Sequence, residues 1–203
     1  FMGNGWAIKL PPMFTLIGGI ILLICFMFLK LNHLLNEKTF QKDFLVDANW
    51  ALYCDNYLEG FHVPFVHEGL NEVLDYGSYE TIIYEHCNLQ IGYSNEATEI
   101  FEFPQNHIDY GKKIAAYYFW VFPNIMFNFY PWGLSINIVK PLEISKTKVS
   151  FISYVLDPSK LNKGAGSNLE KVEKEDEVVV ENVQKGVRSS FYKAGRFSPK
   201  REK

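Results

Sequence analysis

The chain has 203 residues, 48% of them hydrophobic and 16% aromatic, enough for one sizeable core and too apolar for a disordered chain. With 20 Lys and Arg against 23 Asp and Glu, the formal net charge of −3 leaves no basic surplus to hold a phosphate backbone, which argues against a nucleic-acid partner. Cys25, Cys54 and Cys87 form an odd set without a framework spacing and fit a reducing, cytoplasmic setting better than a secreted one.

The first residue is Phe and the chain closes on SPKREK, so it reads as a fragment of a longer protein. Residues 13–29, MFTLIGGIILLICFMFL, carry no charge and sit at the short edge of what spans a bilayer. Gly18-Gly19 divides the run into two apolar pieces that equally suit buried strands, and periodicity alone leaves both readings open.

The segment NWALYCDNYLEGFHVPFVHEGL (49–70) reads as a helix over 50–62 that Pro64 ends or bends. On such a helix Asp55, Glu59 and His62 share one stripe, and the bend leaves His67 on the turn beyond. Two imidazoles five residues apart across a bend can reach one metal ion, and the plainer reading is an exposed helix with ordinary charges.

Strands are expected at 80–94, 98–103, 113–122, 125–130, 134–141 and 148–157, rich in Ile, Val, Phe, Tyr and Trp and separated by turn-like segments. That series makes an antiparallel sheet flanked by helices, an α+β domain. Its many aromatic residues either fill a core or line a pocket on the concave face, and alternation sends only about half of them to one side. SKLNKGAGSNLE (159–170) reads as a flexible linker.

In SNLEKVEKEDEVVVENVQKGVRSS (167–190), Leu169, Val172, Val179, Val183 and Val187 keep helical spacing with one member missing, and Asp176 fills the gap. Glu173, Lys174, Glu175 and Glu177 fall off that stripe. An aspartate on a core-facing stripe requires a partner cation or a metal. Two imidazoles and one carboxylate are the ligand set of non-haem Fe(II) oxygenases, and zinc takes the same set for hydrolysis.

Asp55-x3-Glu59-x2-His62-x4-His67 after Asn49-Trp50 resembles the mononuclear-iron motif of Rieske non-haem iron oxygenase α-subunits, the aromatic-ring-hydroxylating dioxygenase family. NYLEGFHVPFVH looks most like the choline and carnitine monooxygenase branch. Phe122-Pro123-Asn124 with FNFYPWG, and Asp176 ahead of Val183-Gln184-x-Gly186, extend the likeness over about residues 44 to 198. It implies a helix-grip (START-like) domain over 41–203, a curved antiparallel sheet with helices enclosing a mononuclear iron cavity. The metal ligands would be His62, His67 and Asp176, with Asp55 holding a ligand histidine in its tautomer. Glu59 takes the place of a residue that bridges to a Rieske cluster in the neighbouring subunit.

Residues 1–40 would be the remnant of a junction with a Rieske domain, since Cys25, Cys54 and Cys87 match neither C-x-H nor C-x2-H. Family members are soluble, which favours the buried reading of 13–29 over a membrane span. The implied activity is hydroxylation of a small organic substrate with dioxygen at Fe(II). Electrons would come from NAD(P)H through a separate reductase and the 2Fe-2S cluster, in a homotrimer of the full-length protein. The substrate is a quaternary amine or an aromatic compound. The competing functions are a non-catalytic helix-grip ligand-binding module and a zinc-dependent hydrolase.

Overall fold

The computed structural model describes residues 40–95 and 99–195. The apolar run 13–29 and the proposed junction therefore lie outside the described residues. Seven antiparallel strands form one sheet in the order β1-β7-β6-β5-β4-β3-β2. They are β1 (Phe40–Val46), β2 (Glu80–Ile83), β3 (Cys87–Tyr93), β4 (Ile114–Val121), β5 (Ile125–Tyr130), β6 (Gly133–Glu143) and β7 (Lys146–Val155). From β2 to β7 the sheet is a meander of neighbouring strands, and β1 closes on its far edge against β7. Among the described residues four α-helices accompany it: α1 (Trp50–Glu59), α2 (Val63–Val66), α3 (Glu68–Val73) and α4 (Leu169–Val187).

The α+β expectation holds, with differences that have local causes. The segment 80–94 is a hairpin rather than one strand, turning at residues 84–86. Residues 99–103 are irregular, tied to the start of β4 through Phe101 N–H donating to Ile114 O at 2.8 Å. β1 was not expected, because it is an edge strand whose exposed positions include Gln41, Lys42 and Leu45. The linker 159–170 is packed rather than loose: Ala165 is buried, and Gly166 lies so close to Trp132 that its carbonyl accepts the indole N–H at 3.2 Å.

Alternation sorts the aromatic strands. Gln90, Tyr118, Asn128 and Ser135 stand in register across β3, β4, β5 and β6, and Met126, Asn137 and Phe151 form the next row. Tyr117, Phe119, Phe127 and Phe129 are their alternates and point to the other face. The face beneath the helices is thus a floor of amides and tyrosines, more polar than the sequence suggested.

α1 is capped by Asn49, whose side-chain oxygen accepts from Ala51 N–H at 3.0 Å, a cap worth about 1 kcal/mol. The same residue pins α4: its backbone N–H donates to Gln184 Oε1 at 2.7 Å, and Asp47 N–H donates to Glu181 Oε1 at 3.0 Å. α1 and α4 share an apolar cluster with the sheet through Tyr53, Cys54, Met126, Val139 and Val180.

Candidate metal centre

α1 ends at Gly60, not at Pro64. Gly60 takes φ +55°, a left-handed conformation that other residues adopt only at a cost, and Pro64 instead opens the next short helix. His62 therefore lies off the α1 stripe, at the start of α2, and His67 sits at the junction of α2 and α3. Two tight helix junctions five residues apart turn both imidazoles toward α4.

There the expected ligands meet. His62 Nε2 lies 3.1 Å from His67 Nε2, and Asp176 Oδ1 lies 3.3 Å from the first and 3.1 Å from the second. These three side chains offer ligand atoms all within 4.8 Å of one another. The opposite ring nitrogens are occupied. His62 Nδ1 is bonded to Glu59 Oε1, and His67 Nδ1 to Glu175 Oε2 at 2.8 Å. A carboxylate is an acceptor, so each Nδ1 carries the proton and each Nε2 presents a lone pair.

Three acceptors converging at this distance require a shared cation. Without a metal, protons fill that role. Burial pushes His62 down, but Asp176 and Glu59 outweigh it and hold the imidazole up at about 9. His67 is raised in the same way, chiefly by Asp176 against its own burial. Burial pushes Asp176 up, yet its bonds to His62 and His67 bring it down to about 2. Asn56 adds an amide N–H to Asp176 Oδ1 at 2.7 Å. The donor set, two neutral imidazole nitrogens and a carboxylate with carboxylates behind the imidazoles, fits Fe(II) or another divalent ion.

Asp55 does not take the place expected of it. It is exposed and bonded to neither imidazole, because the buried position beside it on α1 is Asn56. Glu59 takes the tautomer-fixing place for His62, and its other oxygen caps the N–H groups of Phe61 and His62. Glu175, read from the sequence as off the core stripe, does the same for His67. α4 is rotated from the valine stripe: its buried residues are Glu173, Val180 and Gln184, whereas Val183 is 44% exposed. The inward face is polar because it carries the site, so hydropathy alone misplaced it. The misplaced Asp176 was the one available signal, and the carboxylates one and three positions before it share its inward face.

The ligands open onto a cavity of about 100 Å³ between the helices and the sheet floor. Its walls include Leu70, Leu74 and Val63, the rings of Tyr57, Tyr79 and Tyr118, and Glu173. Ligand pockets for drug-sized molecules measure roughly 300–1,000 Å³, so this one suits a compact occupant.

Comparison with known proteins gives a consistent picture. Residues 31–203 match the family described as ring hydroxylating alpha subunit (catalytic domain). The chloroplastic choline monooxygenase of Arabidopsis thaliana is 37% identical over 166 residues, covering 78% of this chain and 37% of that protein. The carnitine monooxygenase oxygenase subunit of Escherichia coli strain K12 is 26% identical over 151 residues, covering 72% and 39%. The chain thus spans well under half the length of these curated relatives. A solved quaternary ammonium Rieske monooxygenase superimposes with a TM-score of 0.62 at 21% identity, over 81% of this chain and 46% of that one, a likeness of fold.

Proposed function

Because the chain belongs to the ring-hydroxylating oxygenase α-subunit family, we propose that it is the catalytic part of an oxygenase component that hydroxylates a compact quaternary ammonium substrate. The observation that carries this reading is the meeting of His62 Nε2, His67 Nε2 and Asp176 Oδ1. Bound there, Fe(II) supplies dioxygen activation, with electrons from a Rieske 2Fe-2S cluster in a part of the protein beyond this chain and from NAD(P)H through a reductase. Glu59 and Glu175 keep a proton on each Nδ1 and so keep each Nε2 available as a ligand. Leu70, Leu74 and Val63 keep the cavity dry, and the tyrosine rings receive the substrate. Glu59 is half-buried at the edge of the site, where it suits contact with the cluster domain of a neighbouring subunit in a homotrimer.

The small cavity and the names of the relatives favour an amine over an arene. A cytoplasmic or plastid location is proposed: Cys54 and Cys87 are free thiols, and the plant relatives are named chloroplastic. The test is anaerobic loading with Fe(II), followed by calorimetry against choline, carnitine, betaine and a set of arenes. One iron per chain and binding of amines is the expected result. Iron binding with affinity for arenes alone would overturn the substrate class, and absence of stoichiometric iron would overturn the oxygenase reading.

A further inference from the structure

Glu173 is a buried carboxyl that the metal chemistry does not use. It lies nearly one helical turn before Asp176 on α4, is 2% exposed and lines the same cavity. The Tyr53 hydroxyl donates to its Oε2 at 2.5 Å, while Oε1 has no hydrogen-bond partner among the described residues. Leaving a buried acceptor unmet is costly, and such an atom calls for an explanation. The Tyr118 hydroxyl of the same cavity is likewise without a hydrogen-bond partner, whereas other polar groups nearby are paired with one another. Tyr57 OH donates to Asn128 Oδ1 at 2.7 Å, Tyr79 OH to Gln90 Oε1 at 3.0 Å, and the Gln90 amide to Tyr57 O at 2.9 Å.

The charges lining the cavity are also one-sided. Among the described lining residues there is no Lys or Arg, and the carboxylates are Asp176 and Glu173. Asp176 is committed to the imidazole nitrogens, whereas Glu59 and Glu175 meet the imidazoles from outside the cavity. Glu173 therefore lines the cavity with a carboxyl group whose Oε1 is buried and has no hydrogen-bond partner. Tyr53, Tyr57, Tyr118 and Tyr130 line the same cavity, and aromatic rings of this kind attract a cation.

We propose that Glu173 is the charge-selecting residue of this cavity, its free Oε1 facing the cationic head of the substrate. The inference rests on the oxygenase reading and adds to it the residue that distinguishes an amine from a neutral molecule of the same shape. Burial pushes the empty-state Glu173 carboxyl well up, with Asp176 and Glu177 adding to the effect against the bond from Tyr53, and an entering cation supplies the opposing charge.

The experiment compares choline with its neutral isostere, in which a quaternary carbon replaces the nitrogen, by calorimetry on the metal-loaded 203-residue chain at one pH. The wild type should favour choline by at least about tenfold. Glu173→Gln, which keeps size and hydrogen bonding but loses the charge, should bind the two within about threefold of each other while retaining its metal. A Glu173→Gln protein that keeps the full preference for choline would overturn the role of Glu173 and leave the oxygenase reading standing. A wild type that binds both ligands equally would overturn the proposal without any variant. A wild type that takes up no metal would overturn the underlying reading with it.

Discussion

Replacing Glu175 tests the structure where it departs from the sequence reading. Its Oε2 accepts the His67 Nδ1 proton at 2.8 Å, and His67 is 2% exposed, so Glu175→Ala leaves a buried N–H with no partner. A hydrogen bond to a charged group is worth about 1.5–3 kcal/mol. At about 1.4 kcal/mol per tenfold, that corresponds to a metal affinity roughly 10- to 100-fold weaker. The lost pair with Lys171, 3.6 Å away and half-exposed, contributes only about 0.3–0.5 kcal/mol and does not alter the outcome. Competition titrations of Co(II) against a chelator measure the effect. Glu175→Gln should fall between wild type and Ala, because an amide oxygen still accepts but carries no charge. Asp55→Ala should match wild type within about threefold, since Asp55 touches neither imidazole. Wild-type affinity in Glu175→Ala, or an equal loss in Asp55→Ala, would refute the assignment of the supporting carboxylate.

His62→Ala or His67→Ala should abolish stoichiometric metal binding, whereas His86→Ala and His107→Ala should not; retention in either of the first pair, by metal analysis, counts against the site. The metal-free protein should lose stability as pH rises, because the folded-state value of His62 is raised from 6.5 to about 9. That contribution, at most about 3 kcal/mol, is fully present below 6.5 and gone above about 9, so denaturation midpoints in chelator should fall across this window; a flat profile would count against the coupling. Gly166→Ala should cost about 1–3 kcal/mol, or roughly 2–4 °C in Tm per kcal/mol, because a Cβ there would lie 2.1 Å from Trp132 Nε1. Gly69→Ala on α3 meets nothing within 4 Å and should not lower Tm; a similar loss in both would count against the close approach.

The three proposed metal ligands stood out in the sequence for different reasons. His62 and His67 are close in the chain and flank a proline, whereas Asp176 stood out as a carboxylate inside a valine stripe. The partners behind them were less legible. Glu175 is one of several acids on a charged helix, and only the rotation of α4 distinguishes it. Asp55 and Asn56 are neighbours on α1, and spacing could not say which would turn inward. The sheet was readable from its β-branched and aromatic runs, except at its margins. β1 is an edge strand that buries only Phe44 and Val46 of its seven residues, and 99–103 has strand composition without a ladder. The pocket's polarity depended on register, which sets Gln90, Asn128 and Asn137 beneath the helices.

The hydrogen bonds from Asp47 and Asn49 to Glu181 and Gln184 have a consequence well away from where they lie. Residues of an α-helix are set about 100° apart around its axis. Glu173, Glu175 and Asp176 therefore reach Tyr53, His67 and the imidazole pair only at one angular setting of α4. The pins at 181 and 184 act as the stop on that dial, roughly 7.5 and 12 Å along the helix from Asp176 at 1.5 Å per residue. A one-residue insertion between Asp176 and Glu181 would rotate all three carboxyl groups out of alignment at once without changing any of them. The segment 177–180 is thus a spacer whose length matters more than its composition.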